Sequence, residues 1–524
     1  MNRTYSEDND RESMADSGDE GLEDIVVITS ANNPKGSRVL THDVELQLLN
    51  SSVLANGLPY TILKEKEKSA FSALLSLIGL CSSISMPIYW VALTEIQKYF
   101  GISEAQANLT VSAYLVLQAV SPVFVSSTGD FFGRRPTVQC CLLGGFAANV
   151  GLAVCNKYWL VIFLRCVLAA FVSPVISINS AIIGDFTTRT NRGGVAGWVS
   201  GFTLVGQGIS PFLGSVFDSV WNWRAIFWFS AAFDAFVFVI VTFLLPETRR
   251  TFVGNLGIPP EKLVHKSPAA WLIRKRLVDV DGLSREPDTQ KTFNPFKPFA
   301  LILKPDILMC LLPCSIFFAC WTCSQVSLTT SLSHDYHYTP LKVGLCFFAP
   351  GMATIFGTIL SGKVLDKVYR RMKKDYARQI AQNPSAQHTP FNIIKARLGY
   401  SPIPTLLLSF SVIAYGWCLQ KRENVAIILV LAFLTTFGSM YPLNVASTLL
   451  VDLEPTQSGG ASSLNNLFRC GMSAIFVSCL SMMNQSMGLG GTYTFMGCIC
   501  IVGVCALQFM TYKGVKLLKN RQCN

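Results

Sequence analysis

Residues 129–136 read GDFFGRRP, placing the carboxylate of Asp130 within five positions of the guanidinium groups of Arg134 and Arg135, with Gly133 between them. Long apolar stretches flank the octet on both sides. Acid and arginine this close can clamp a neighbouring helix terminus, because the residual negative charge of a helix C-terminus attracts a guanidinium. Such a clamp can form in one conformational state and release in another, so the chemistry on offer is gating. Cations that merely mark a cytosolic loop would explain Arg134 and Arg135, but not Asp130 or a second copy of the unit.

A second copy is present. Residues 362–371 read GKVLDKVYRR, and an offset of 236 sets Asp366 on Asp130, Arg370 on Arg134 and Arg371 on Arg135, with Tyr369 where Gly133 stands. The chain therefore reads as a duplicated unit. In carriers built from repeats, substrate binds near mid-bilayer and one half rocks against the other.

Ionisable side chains inside apolar runs form the next group, since each is expensive in a membrane and marks a function by default. Arg165, Asp234 and Arg469 stand out. Asp234, in FSAAFDAFVFVIV, is the candidate proton carrier, and pairing with a neighbouring helix is the alternative. Asn465 and Asn466 precede Arg469 by one helical turn, a spacing that puts them on one face to read an anionic or polar group. Uncharged candidates for a substrate cavity are Asn108, Tyr114, Gln118, Asn179, Gln207, Trp321, Gln325, Tyr441 and Asn444. Each also fits a plainer role as interhelical glue.

No Ser-His-Asp arrangement, metal-ligand spacing or phosphate-cradling loop is evident, and the five histidines are scattered, so an enzyme is not expected. No cofactor is expected beyond a proton gradient as energy source. His334 and His337 share a short loop with Asp335 and read as solvated surface. The 17 cysteines lie mostly in apolar runs without CxxC spacing and read as reduced packing residues.

The elements that must hold these residues follow from composition. Half of the 524 residues are apolar and 14% are charged, and the mean hydropathy of +0.40 exceeds that of an ordinary soluble globule. About twelve windows suit a membrane-crossing helix: roughly 70–92, 106–127, 137–155, 158–183, 195–217, 225–245, 307–331, 342–362, 403–420, 424–450, 462–484 and 491–512. Lys and Arg gather on one side of these windows, at Lys64–Lys68, Arg134–Arg135, Arg249–Arg250, 363–378 and 513–521, which puts both termini in the cytosol. The expected fold is an all-α polytopic membrane protein of two six-helix bundles.

Domain boundaries follow: an acidic, mostly disordered cytosolic tail over 1–68, a bundle over 69–245, a basic linker over 246–304, a second bundle over 305–512 and a basic tail over 513–524. The basic segments face anionic membrane lipid rather than nucleic acid. The chain is expected to work as a monomer.

At this point the chain resembles the major facilitator superfamily, whose loop between the second and third spans carries a G-x-L-A-D-R-x-G-R-R motif. Asp130, Gly133, Arg134 and Arg135 match it, while Ser126 and Phe131 depart from it. A second family mark is Arg165 in LVIFLRCVLAAF, for which the resemblance implies a place in the central cavity, tuning the proton affinity of a nearby carboxylate. A structural hydrogen-bond hub is the alternative. Asp185 resembles a family position in the cytosolic charge network, and Arg189 or Arg192 is its expected partner.

The antiporter branch adds a fifth-span motif, met in GQGISPFLGS by Gly206, Pro211 and Gly214, with Ser210 and Ser215 in place of two glycines. Small residues at that spacing allow close helix approach, and proline bends the span. Together with NWRAIFWF and LLPETRR, the likeness covers about residues 70–515 and points to the fungal twelve-span drug:proton antiporters, in the quinidine-resistance and dityrosine-transporter group. The resemblance implies export of small organic compounds (drugs, polyamines, weak-acid anions or dityrosine-like metabolites) by proton antiport, at the plasma membrane or an internal one such as the vacuole. A proton-independent uniporter or importer is the alternative, because span one has no acid before Glu95. A non-transporting receptor of the same fold is a third reading.

Overall fold

A computed structural model of the chain describes residues 61–187, 189–268, 304–382, 391–453 and 458–523, with residues 299 and 302. The acidic tail up to residue 60 and most of the linker lie outside the described residues.

In chain order the first half holds α1 (Glu65–Ser85), α2 (Pro87–Phe100), α3 (Glu104–Phe132), α4 (Arg134–Val154), α5 (Tyr158–Val172), α6 (Pro174–Phe186), α7 (Arg189–Val220), α8 (Trp223–Leu244) and the short α9 (Arg250–Val253). The second half holds α10 (Pro305–His334), α11 (Pro340–Cys346), α12 (Phe348–Gln382), α13 (Ile393–Leu398), α14 (Pro402–Gln420), α15 (Val425–Leu453) and α16 (Ser458–Cys523). A bilayer offers no partner for free backbone groups, so apolar runs of this length close their hydrogen bonds within helices.

Pro87 divides the first crossing into α1 and α2, and Pro174 divides the fourth into α5 and α6, because proline lacks the N–H that the preceding turn requires. Among the described residues ten stretches are long and apolar enough to cross a membrane. The last of these, Gly460–Gly514, holds two crossings, since α16 breaks at Gly488. The remaining crossing is α7, whose apolar character is diluted by glycines, serines and Gln207. Twelve crossings result, with the Lys/Arg-rich ends cytosolic. The protein is an integral membrane protein.

The most enclosed helix is α10, where 22 of 30 residues are buried, Trp321 and Gln325 among them. It meets α2 of the first half through Trp90 and Trp321, whose ring centroids are 6.1 Å apart. Phe347 stacks on Trp90 at 6.4 Å, and near the outer end Thr94 Oγ1 donates to Ser333 Oγ at 3.4 Å. The closest approach between the halves is at α7 and α12. A Cβ added to Gly208 would lie 2.9 Å from the Gly351 carbonyl oxygen, and one added to Gly351 would lie 2.5 Å from that of Gly208. Toward the cytosolic ends of the same helices, a Cβ at Gly197, Gly201 or Gly362 would meet nothing within 4 Å. The halves are thus closed on each other at mid-membrane and toward the outside.

Candidate functional site

The opening octet folds around Gly133, which separates α3 from α4 with φ 107° and ψ 158°. Only glycine adopts this conformation without strain, and a Cβ there would also lie 2.6 Å from Glu247 Oε2. The break lets Arg134 turn back onto the end of α3. Its Nη1 is 2.6 Å from Asp130 Oδ1, and its Nε donates to Asp185 Oδ2 at 3.2 Å. Arg135 Nη2 donates to the Thr242 carbonyl in the last turn of α8 at 2.8 Å, and its Nη1 donates to the Val264 carbonyl.

The centre of this network is a residue without an assigned role in the sequence reading, Glu247 of LLPETRR. Its carboxylate is fully buried and accepts from the backbone N–H groups of Arg134 (2.8 Å), Arg135 (3.3 Å), Thr248 (3.1 Å) and Arg249 (3.1 Å). His265 Nδ1 lies 3.1 Å from Oε2. Burial alone would raise the Glu247 pKa, but the His265 ring and the donated N–H groups outweigh it and hold the carboxyl below the usual glutamate range. Glu247 therefore joins the start of α4, the chain leaving α8 and the beginning of the linker.

Asp185 has partners that the sequence reading did not name. Its described partners are Arg134, Thr248 Oγ1 at 3.1 Å and, through its carbonyl, Arg250 Nε at 3.0 Å. The side chains of Arg189 and Arg192 lie outside the described residues. Asp185 is half-buried at the exit of α6, and there the arginine that follows Gly133 reaches it.

The second copy of the motif also differs. Tyr369 occupies the place of Gly133 and cannot take the same turn, so α12 runs without a break through Asp366, Arg370 and Arg371 to Gln382. Among the described residues Arg370 Nε donates only to the Asp366 carbonyl of its own helix, at 3.4 Å, and Arg371 is exposed. The counterpart of Arg134 is instead Arg397 on α13. Its Nε donates to Asp452 Oδ2 at 2.8 Å, and its Nη1 lies 3.9 Å from Asp366 Oδ1. Its guanidinium also lies over the Tyr369 ring at 4.4 Å. Asp366, Arg397 and Asp452 thus reproduce Asp130, Arg134 and Asp185. The chain beyond Asp366 is longer than the chain beyond Asp130, which moves the arginine out of register. The only sequence signal for Asp452 was an acid at the end of the tenth span.

Arg165 is fully buried between two tyrosine rings, Tyr89 of α2 at 3.8 Å and Tyr114 of α3 at 4.3 Å. Its Nη1 donates weakly to the Ser85 carbonyl at 3.4 Å, while Nε and Nη2 have no partner. Among the described residues no carboxylate pairs with it. Asp234 lies inside the first half, where Asn149 Nδ2 of α4 donates to its Oδ2 at 2.8 Å and the Cys81 thiol of α1 is adjacent.

Arg469 sits over the ring of Phe318 at 4.7 Å and donates from Nη2 to Asn466 Oδ1 at 2.8 Å, with Nε unpartnered. Asn466 Nδ2 crosses to the first half and donates to the Gln118 carbonyl at 2.6 Å. Tyr114, Gln118, Trp321, Asn466 and Arg469 thus gather where the halves meet. Asn108 is buried nearby on α3 with its amide unpartnered. Trp321 Nε1 and Gln325 Nε2 both donate to Thr436 Oγ1, at 3.2 and 3.3 Å.

Other cavity candidates join helices within one half. Asn179 donates to the Leu75 carbonyl at 2.8 Å, Asn465 to Ser447 Oγ at 3.1 Å, and Asn444 to Ser361 Oγ. The Tyr441 hydroxyl donates to the Arg397 carbonyl at 3.3 Å, beside the cytosolic charge triad rather than a cavity. In the fifth-span motif, Gly206 faces Ser83 and Leu80, and Gly214 faces the Ile88 carbonyl, so both serve packing on the first span. Contact with the second half comes from Gly208, and from Pro211 and Ser215 against Gly344. Ser210 is buried, with its hydroxyl 3.5 Å from the Gln207 carbonyl, and Gln207 is half-buried.

Comparison with known proteins agrees with this architecture. The sequence profile of the Major Facilitator Superfamily matches residues 75–377. The chain is 36% identical to the MFS antiporter QDR2 of Candida albicans over 464 residues, 88% of this chain and 92% of the relative. It is 35% identical to the quinidine resistance protein 1 of Saccharomyces cerevisiae, over 88% and 86% of the two chains. Among solved structures, the partially occluded inward-open xylose transporter XylE from E. coli superposes with a TM-score of 0.59 at 14% identity, covering 85% of this chain and 97% of that one.

Proposed function

This chain belongs to the Major Facilitator Superfamily, and from that premise we propose that it exports small organic compounds across the plasma membrane by proton antiport with alternating access. The observation that carries the reading is the near full-length identity to relatives named as antiporters and as a drug-resistance protein. In this reading the rocking bodies are residues 69–245 and 305–512, joined by the linker over 246–304. The two cytosolic triads, Asp130–Arg134–Asp185 and Asp366–Arg397–Asp452, keep each body rigid at its cytosolic end. Asp234 is the proton-carrying candidate, because it is a buried carboxyl inside a bundle that faces a neutral amide and no cation among the described residues.

The test is flux of a labelled panel of small organic compounds, weak-acid anions included, in sealed inside-out vesicles with an imposed pH gradient. Uptake driven by the gradient, and lost in Asp234→Asn with binding retained, is expected. A specific observation favours a second reading, a proton-independent uniporter: among the described residues Arg165 meets two tyrosines and no carboxylate. Flux indifferent to the gradient in the unmodified protein decides for that reading.

A further inference from the structure

Two guanidinium groups stand at the junction of the halves, and neither has an acidic partner among the described residues. Arg165 uses one of its five N–H donors in a single long hydrogen bond and is otherwise held by ring faces. Arg469 donates to a neutral amide and leaves Nε without an acceptor. Cation–π contact offsets part of the cost of burying such a charge, but it does not replace the acceptors that water or a carboxylate supplies.

The two arginines belong to one site. From Arg165, Tyr89 leads to its neighbour Trp90, which meets Trp321 across the interface at 6.1 Å. Trp321 lies 5.3 Å from Phe318, the ring beneath Arg469. On the other side Asn466 carries Arg469 to the Gln118 carbonyl, one turn along α3 from Tyr114 beneath Arg165. The circuit closes with a guanidinium at each side, aromatic rings between, and unpartnered buried atoms at Trp90 Nε1 and Gln118 Oε1. Asp234 is turned to Asn149 inside the first half. The local balance is two cations against one acid.

We propose that this circuit is the substrate site and that it selects an organic anion, an aryl or alkyl-aryl carboxylate whose carboxylate binds Arg469 and Asn466 and whose ring lies on Trp90, Trp321 and Phe318. Arg165 supplies a second positive charge that the ligand, rather than the protein, compensates. The inference rests on the transporter reading above and narrows its substrate class, setting amines and polyamines aside.

The test uses three probes with one skeleton and different charge: phenylpropionate, phenylpropylamine and phenylpropanol, with binding measured on the purified full-length protein. Phenylpropionate is expected to bind at least about tenfold tighter than the other two, the scale of one hydrogen bond to a charged group. Arg469→Gln is expected to erase that preference and Arg469→Lys to keep most of it. Equal or tighter binding of phenylpropylamine to the unmodified protein overturns the proposal, as does a preference unchanged in Arg469→Gln. If Arg469→Gln does not fold, the preference of the unmodified protein still decides. Vesicle flux separates the two readings: carboxylate-selective binding without gradient-driven flux of any probe defeats export alone, whereas gradient-driven flux of the amine but not the carboxylate defeats only the anion site.

Discussion

Replacing Gly351 by alanine places a methyl group 2.5 Å from the Gly208 carbonyl oxygen, where ordinary contact begins at 3.4 Å. The obstacle is backbone, with no flexible side chain to swing away, so α7 and α12 must separate by roughly 1 Å. Overpacking of this kind costs about 1–3 kcal/mol. The cost falls only on the conformation in which the helices cross this closely, so the population of that conformation relative to the alternative drops by roughly 5- to 150-fold. The assay is oxidative cross-linking of Thr94→Cys with Ser333→Cys, positions whose hydroxyl oxygens lie 3.4 Å apart near the outer end. The background replaces the exposed cysteines Cys140, Cys479, Cys498 and Cys505 by serine. Cross-linking slows by about the same factor in Gly351→Ala and is unchanged in Gly197→Ala, where the added methyl meets nothing within 4 Å. Equal rates in the two variants would refute the argument that this crossing holds the halves closed.

Other residues give further tests. Because the folded-state pKa of Glu247 is depressed, its ionised form stabilises the protein above the usual glutamate value of about 4.3, and that contribution is lost as pH falls through the depressed value. The melting-temperature gap between the unmodified protein and Glu247→Gln is therefore widest near neutral pH and narrows on acidification; a gap that widens in acid contradicts this assignment. Arg397→Met and Asp452→Asn, combined in a double-mutant cycle on thermal stability, are expected to show a coupling of about 1–2 kcal/mol, since the 2.8 Å pair is largely shielded from solvent. Arg370→Met combined with Asp452→Asn is expected to be additive, because Arg370 reaches only its own helix.

What the sequence determined by itself is the set of crossings and the character of the first charge motif. A bilayer demands long apolar runs with their hydrogen bonds closed internally, and that demand is written residue by residue. The Asp130–Arg134 pair is equally local, since four residues and one glycine turn bring its charges together. Arg165, Asp234 and Arg469 also stood out as charges in apolar runs, and spacing put Asn466 beside Arg469, but most of their partners did not stand out. Those partners come from other helices: two tyrosines from the first and second crossings, an asparagine from the third, a phenylalanine from the seventh. Only the tertiary structure decided that Arg397, rather than Arg370 or Arg371, completes the second triad. An unbroken helix at Tyr369 and extra chain beyond it shift the register that a fixed offset assumes. Only the tertiary structure selected Gly208, rather than Gly206 or Gly214, as the glycine of this segment that meets the second half. Spacing along a chain encodes which residues share a helix face, but which faces meet depends on crossing angles and loop lengths, and these are settled when the helices pack.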